Sequence, residues 1–117
     1  QWEYACRAGA EKYWHFGDNQ ADLQHYAAYG YEDGEKCRIG QKRPNTFGIH
    51  DMHGSVWEWC ADVHEPDYYT ESPLVDPSGP SKGLYRVFRG GAWSSQPWGC
   101  RSARRNVQGA SNINRNR

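Results

Sequence analysis

Leu, Ile, Val and Phe are scarce in this chain, together 14 of 117 residues. That is about 12%, below the roughly 20% that marks many disordered chains. Charge of one sign is missing as well: 14 basic residues balance 14 acidic ones. A neutral balance argues against non-specific attraction to nucleic acid or to an anionic membrane surface. No apolar run approaches the roughly 18 residues a membrane-spanning helix requires. The four cysteines, Cys6, Cys37, Cys60 and Cys100, contain no CxxC pair, which argues against a zinc ribbon. There is no internal repeat and no compositional break, so residues 1–117 read as a single domain.

Aromatic residues and glycine are abundant. The chain holds six Trp, eight Tyr and 13 Gly. Disorder calls for few aromatics and a charge imbalance, and neither holds here. Each large ring buries roughly 150–250 Å², so a few rings replace many aliphatic side chains in the core. Short apolar runs among many glycines predict turns and little regular structure. Loops of that kind are commonly held by metal ions or disulfides.

The elements read as follows. Gln1–Gly9 is the last part of a helix, with Trp2 and Cys6 on one face, Glu3 and Arg7 paired across a turn, and Gly9 as the stop. Tyr13–Gly17 is a short aromatic turn or strand and Asn19–Gln24 a short helix. Gly30–Pro44 is loop, with a short strand near Cys37–Ile39. Asn45–Gly48 is a turn, and Asp51–Trp59 is extended because Val56, Trp57 and Trp59 favour strand. Ala61–Gly83 carries Pro and Gly without periodicity and reads as a long surface loop. Tyr85–Arg89 alternates cleanly and is the best strand. Cys100–Arg104 alternates as another, and Asn106–Arg117 is polar and Asn-rich.

The segments QWEYACRAG, PNTFGIHDMHGSVWEWCAD, DPSGP, YRVFRGGAW and CRSARR, in that order, resemble the formylglycine-generating enzyme family, also called sulfatase-modifying factor domains. The resemblance covers essentially the whole chain. It implies a compact α+β fold related to C-type lectins, irregular, with short antiparallel strands. It also implies a fragment, since the family domain runs further at both ends.

Family enzymes oxidise a cysteine of a sulfatase to formylglycine with O2 and a copper(I) ion held by two thiolates. Soft Cu(I) suits thiolate ligands. Counted from Gly91, the two positions fall on Ser95 and Cys100, so the resemblance implies an incomplete copper site. In a second register CRSAR is the family's following strand and neither copper cysteine exists. The family disulfide from the helix position of Cys6 then points to that strand, with Cys100 two residues from the matching place. Cys60 reads as a buried thiol.

The resemblance also implies structural calcium, held by the side chains of Asp51 and Glu58 and the carbonyls of Gly54 and Val56, an all-oxygen set that suits this cation. From the residues alone, Asp51 capping a turn and Glu58 pairing with an arginine serve as well. His53 reads as a hydrogen-bonding turn residue. Arg86, Arg89, Arg101, Arg104 and Arg105 are either a solvated face or a groove for an extended peptide or acidic ligand.

Two functions remain open at this level. One is an oxidoreductase acting on a sulfatase-like peptide. The other is a non-catalytic lectin-like module that binds a protein or peptide through a variable surface over Trp93–Arg117, with Trp93, Trp98, Arg101 and Arg104 as its leading residues.

Overall fold

The computed structural model describes residues 1–33, 37–65 and 83–109. Helix α1 spans Trp2–Arg7, strand β1 Glu58–His64, β2 Tyr85–Arg89 and β3 Asn106–Gly109; short 3-10 turns cover Gln20–His25 and Pro97–Cys100. The elements fall into two compact units, Gln1–Glu58 with Arg89–Arg104, and Trp59–Phe88 with Arg105–Arg117.

In the first unit, α1 is steadied by the Glu3–Arg7 pair one turn apart, at 2.8 Å. It turns Cys6 inward. It ends one residue before the predicted stop: Ala8 takes the left-handed conformation and returns its N–H to the Tyr4 carbonyl at 3.1 Å. The carboxamide of the buried Asn45 finishes the cap. Its Nδ2 donates to the carbonyls of Ala5 and Cys6 at 2.7 and 3.3 Å. Its Oδ1 accepts the N–H groups of Phe47 and Ile49 at 3.0 and 3.1 Å. One side chain thus serves carbonyls that a helix end leaves unpaired and closes the predicted Asn45–Gly48 turn.

The aromatic turn is a one-residue bridge between Trp14 and Gly17. The short helix forms as a 3-10 turn, with Asn19 accepting from the Ala21 N–H at 3.1 Å. Trp14, Leu23, Ala27 and Cys100 make the buried cluster, with Phe16 and Tyr29 against it. No strand forms over Cys37–Ile39.

Asp51–Trp59 is not extended throughout. Asp51, Gly54 and Ser55 have φ of 60°, 79° and 67°, and strand geometry begins only at Glu58. The loop coils because its backbone is taken by two other loops. The Gly54 N–H reaches the Gly90 carbonyl at 2.6 Å and the Ser55 N–H the Ala28 carbonyl at 2.8 Å. Trp93 N–H then donates to Ser55 at 2.7 Å, and Tyr31 N–H to Trp93 at 2.8 Å. Only glycine fits at 54, since a Cβ there would run into the Ala28 carbonyl at a left-handed φ.

The second unit is built on a three-stranded sheet in the order β1-β2-β3. β2 and β3 are antiparallel, from Tyr85 opposite Gly109 to Phe88 opposite Asn106. Trp59 and Phe88 meet with ring centroids 5.3 Å apart. Two expectations change here. The region read as loop from Ala61 begins as strand, since β1 runs to His64; residues 66–82, DPSGP among them, lie outside the described residues. The strand placed at Cys100–Arg104 is absent. Cys100 ends a 3-10 turn, and Arg104 N–H bonds the Arg101 carbonyl at 3.0 Å in a further turn. The partner of β2 is Asn106–Gly109 instead. Among the described residues no helix is long and apolar enough to cross a membrane.

Candidate functional site

The loop from Asp51 to Glu58 carries the residues assigned to calcium. Asp51 Oδ2 accepts the Gly40 N–H at 2.6 Å. Glu58 Oε2 accepts the indole N–H of Trp2. Among the described residues no three His, Cys, Asp or Glu side chains converge on one point. A cation at this loop would need backbone carbonyls to complete its shell.

The same loop contributes His53 to a buried polar cluster. His53 is 1% exposed. Its Nδ1 donates to the Cys100 carbonyl at 2.7 Å. That choice of tautomer leaves Nε2 to accept the His15 N–H at 3.4 Å. The His15 ring stacks on it at 5.1 Å and meets Tyr26 edge-on at 4.9 Å. The Cys6 sulfur sits 3.8 Å from the His53 ring nitrogens and 3.6 Å from Ser102 Oγ. Burial lowers the His53 pKa to about 4 and raises that of Cys6 to about 11. The two are thus a neutral imidazole and a neutral thiol, unlike the thiolate–imidazolium pair of a nucleophilic site. His53 is the hydrogen-bonding residue the sequence suggested, but it serves the interior of the unit as well as the turn.

The positions assigned to copper have different surroundings. Ser95 Oγ accepts the Ala92 N–H at 2.8 Å, its own N–H reaches the Ala92 carbonyl at 2.9 Å, and its carbonyl takes the Gly30 N–H at 3.1 Å. Ser95 therefore closes a turn. Cys100 is 0% exposed, packed with Trp14, Leu23 and Ala27, and burial pushes its thiol up to about 12. No disulfide joins Cys6 to Cys100. The α1 thiol faces Ser102 instead, at 3.6 Å. Cys60, read as buried, is half-buried.

Of the arginines, Arg89 turns inward. Its Nη2 lies 3.3 Å from Glu3, its Nη1 donates to the Ser102 carbonyl at 3.1 Å, and its guanidinium covers the Trp2 ring at 5.6 Å. Arg101 and Arg104 turn outward, each over an aromatic ring. Arg101 lies over Tyr13 at 5.5 Å and Arg104 over Trp98 at 5.0 Å. Both rings are more than half exposed, Tyr13 at 56% and Trp98 at 55%. Trp93 is half-buried, with its backbone N–H and carbonyl both committed to neighbouring loops. Trp98, Arg101 and Arg104 thus share one face, and Trp93 supports the scaffold behind it.

All 117 residues match the profile of the Sulfatase-modifying factor enzyme 1-like domain. The chain belongs to this family. A formylglycine-generating enzyme of Streptomyces coelicolor is 40% identical over 108 residues, which cover 80% of this chain and 34% of that protein. The mouse enzyme of the same name is 31% identical over 106 residues, 80% of this chain and 28% of the relative. The chain therefore spans about a third of the length of these curated relatives.

Among solved structures, Treponema denticola variable protein 1 superposes with a TM-score of 0.77 at 32% identity, covering 92% of this chain and 39% of that one. PvdO from Pseudomonas aeruginosa gives 0.76 at 34% identity, covering 94% and 44%. The expected irregular α+β fold with short antiparallel strands is thus the fold of this domain.

Tyr13 and His15 were the site residues the sequence did not offer. Both sit in an aromatic turn that carries no motif. The closest signal was the unusual density of rings in YWHF, which marked a core turn and gave no hint of the arginine that covers one of them.

Proposed function

We propose that this formylglycine-generating-enzyme-like domain is a protein- or peptide-binding module, and that it does not oxidise cysteine through a two-thiolate copper site. The observation that carries this reading is Cys100, packed into the core beside Trp14 and Leu23 with its thiol pushed up to about 12. A hydroxyl occupied in a turn and a buried protonated thiol are a poor donor set for Cu(I), which prefers accessible thiolates. Meanwhile the same stretch of chain presents Trp98, Arg101 and Arg104 outward, over a scaffold knitted by backbone bonds. The likeness to a protein named as variable supports a constant fold beneath a changing surface.

We also propose that Ca2+ steadies the Asp51–Glu58 loop through those two side chains and the carbonyls of Gly54 and Val56. Removing it with a chelator should lower the Tm of the native protein and leave Asp51→Ala/Glu58→Ala unaffected.

The deciding experiment incubates the full-length protein with Cu(I), O2 and a sulfatase-derived cysteine peptide, and weighs the peptide by mass spectrometry. The reading expects an unchanged mass. Conversion of the cysteine to an aldehyde would restore the oxidase.

A further inference from the structure

We infer that the face formed by Tyr13, Trp98, Arg101 and Arg104 takes a carboxylate-bearing peptide segment of a partner protein. This rests on the binding-module reading and names the chemistry of its ligand.

A guanidinium held over a ring by cation–π attraction can still turn N–H donors toward a ligand. The guanidinium fork matches a carboxylate with two parallel hydrogen bonds. Arg101 lies over the Tyr13 ring at 5.5 Å and Arg104 over the Trp98 ring at 5.0 Å, both within cation–π range. The two arginines are also pre-positioned. Arg104 N–H bonds the Arg101 carbonyl at 3.0 Å, and Arg101 Nε bonds the Trp98 carbonyl at 3.2 Å. Arg101 thus has little side-chain freedom left to lose when a ligand arrives, while the turn fixes the backbone from which Arg104 projects.

Neither guanidinium is neutralised by an ion pair among the described residues. The ion pairs among the described residues join Glu3 to Arg7 and Arg89, and Lys12 to Asp18; none reaches Arg101 or Arg104. The Nε of Arg104 is itself buried without a hydrogen-bond partner among the described residues. Arg89 shows the contrast inside the same unit: it too lies over an indole, yet its donors are spent on Glu3 and a carbonyl. The pair therefore holds two positive charges that no ion pair among the described residues neutralises, flanked by the exposed rings of Tyr13 and Trp98. Aromatic rings beside arginines are the composition of protein-binding hot spots.

A carboxylate peptide is favoured over a nucleic acid because the chain as a whole is neutral. Phosphate-backbone binding draws on many cations spread along a surface, whereas two forks suit two side-chain carboxylates.

The test titrates full-length protein against a fluorescent oligoglutamate peptide by anisotropy, at low and at physiological salt. Oligolysine and oligothymidylate of matched length run in parallel. Oligoglutamate should bind, and binding should weaken about 10-fold or more in Arg101→Gln/Arg104→Gln, as expected for lost charge-assisted bonds. Arg101→Lys/Arg104→Lys, which keeps the charge and loses the fork, should fall between. Arg86→Gln, an exposed arginine of β2, should bind as the native protein does. Equal binding by the glutamine double variant overturns the inference, as does tighter binding of oligothymidylate or no binding of oligoglutamate. The binding-module reading fails on different evidence, the oxidation of a cysteine peptide, so the two failures are separable.

Discussion

The residues from Pro97 to Arg104 face in two directions, and the two sides do different work. Cys100 and Ser102 point inward, where Cys100 joins the cluster of Trp14, Leu23 and Ala27 and Ser102 meets the Cys6 thiol. Trp98, Arg101 and Arg104 point outward, ring against guanidinium. The inward side has no charge at neutral pH and little access to water. The outward side has charge that no ion pair among the described residues neutralises. Chemistry that needs an accessible thiolate finds none on the inward side, whereas recognition finds its donors on the outward one. The scaffold and the site are thus interleaved in one short segment.

The strongest way to break this division is to disturb the inward side. Gly91 has a φ of 82°, and a Cβ there would lie 2.7 Å from the Cys100 sulfur. Gly91→Ala should therefore destabilise the protein by about 2–5 kcal/mol, combining left-handed strain with overpacking. A shift in the urea midpoint at constant slope would show it. Little or no shift would mean Cys100 is loosely held.

Acid should attack the same side. His53 has a pKa of about 4 in the fold against about 6.5 in an unfolded chain. The folded state binds the proton more weakly, so its stabilising contribution is complete above about pH 6.5 and is lost as pH falls. The loss is about 2 kcal/mol by pH 5 and about 3 kcal/mol by pH 4. His15, also lowered by burial, adds in the same direction. His53→Gln should be less stable at pH 7 and show a flatter decline of stability from pH 6.5 to 5. A decline as steep as the native one would assign the effect to other groups.

The outward side sharpens the comparison from below. Trp98→Ala and Arg104→Gln should each change stability by about 1 kcal/mol or less, as surface substitutions do, while weakening the acidic ligand. A large loss of stability in either would place that residue in the scaffold.

How much of this was legible in the sequence depends on what each residue answers to. α1 and β2 followed from local rules: an i,i+4 ion pair with a glycine stop, and clean alternation. The Asp51–Glu58 loop was recognised as special, yet Val56 and Trp57 suggested strand where the backbone is coiled. Its left-handed residues answer to Ala28 and Gly90, partners far along the chain that propensity does not see. CRSAR alternates like a strand, but its alternation is between a core and a surface across a turn. The paired strand lies further on, where Asn106 and Gln108 flank the lone Val107. The position of Ser95 could be counted from Gly91, but its role in closing a turn could not. The burial of Cys100 and the stacking of Arg101 on Tyr13 join residues far apart in the chain, and no spacing rule reports them.

The account's central claim is that the cysteine at the family's copper position is part of the core. Alkylation of the native full-length protein, followed residue by residue by mass spectrometry, tests it most directly. A thiol at about 12 against an ordinary one near 8.5 should carry about 3,000-fold less thiolate. Cys6 and Cys100 should therefore stay unmodified until denaturant is added, while the half-exposed Cys37 reacts. Modification of Cys100 as fast as Cys37 in the folded protein would contradict the account and return that thiol to the surface, where copper chemistry could use it.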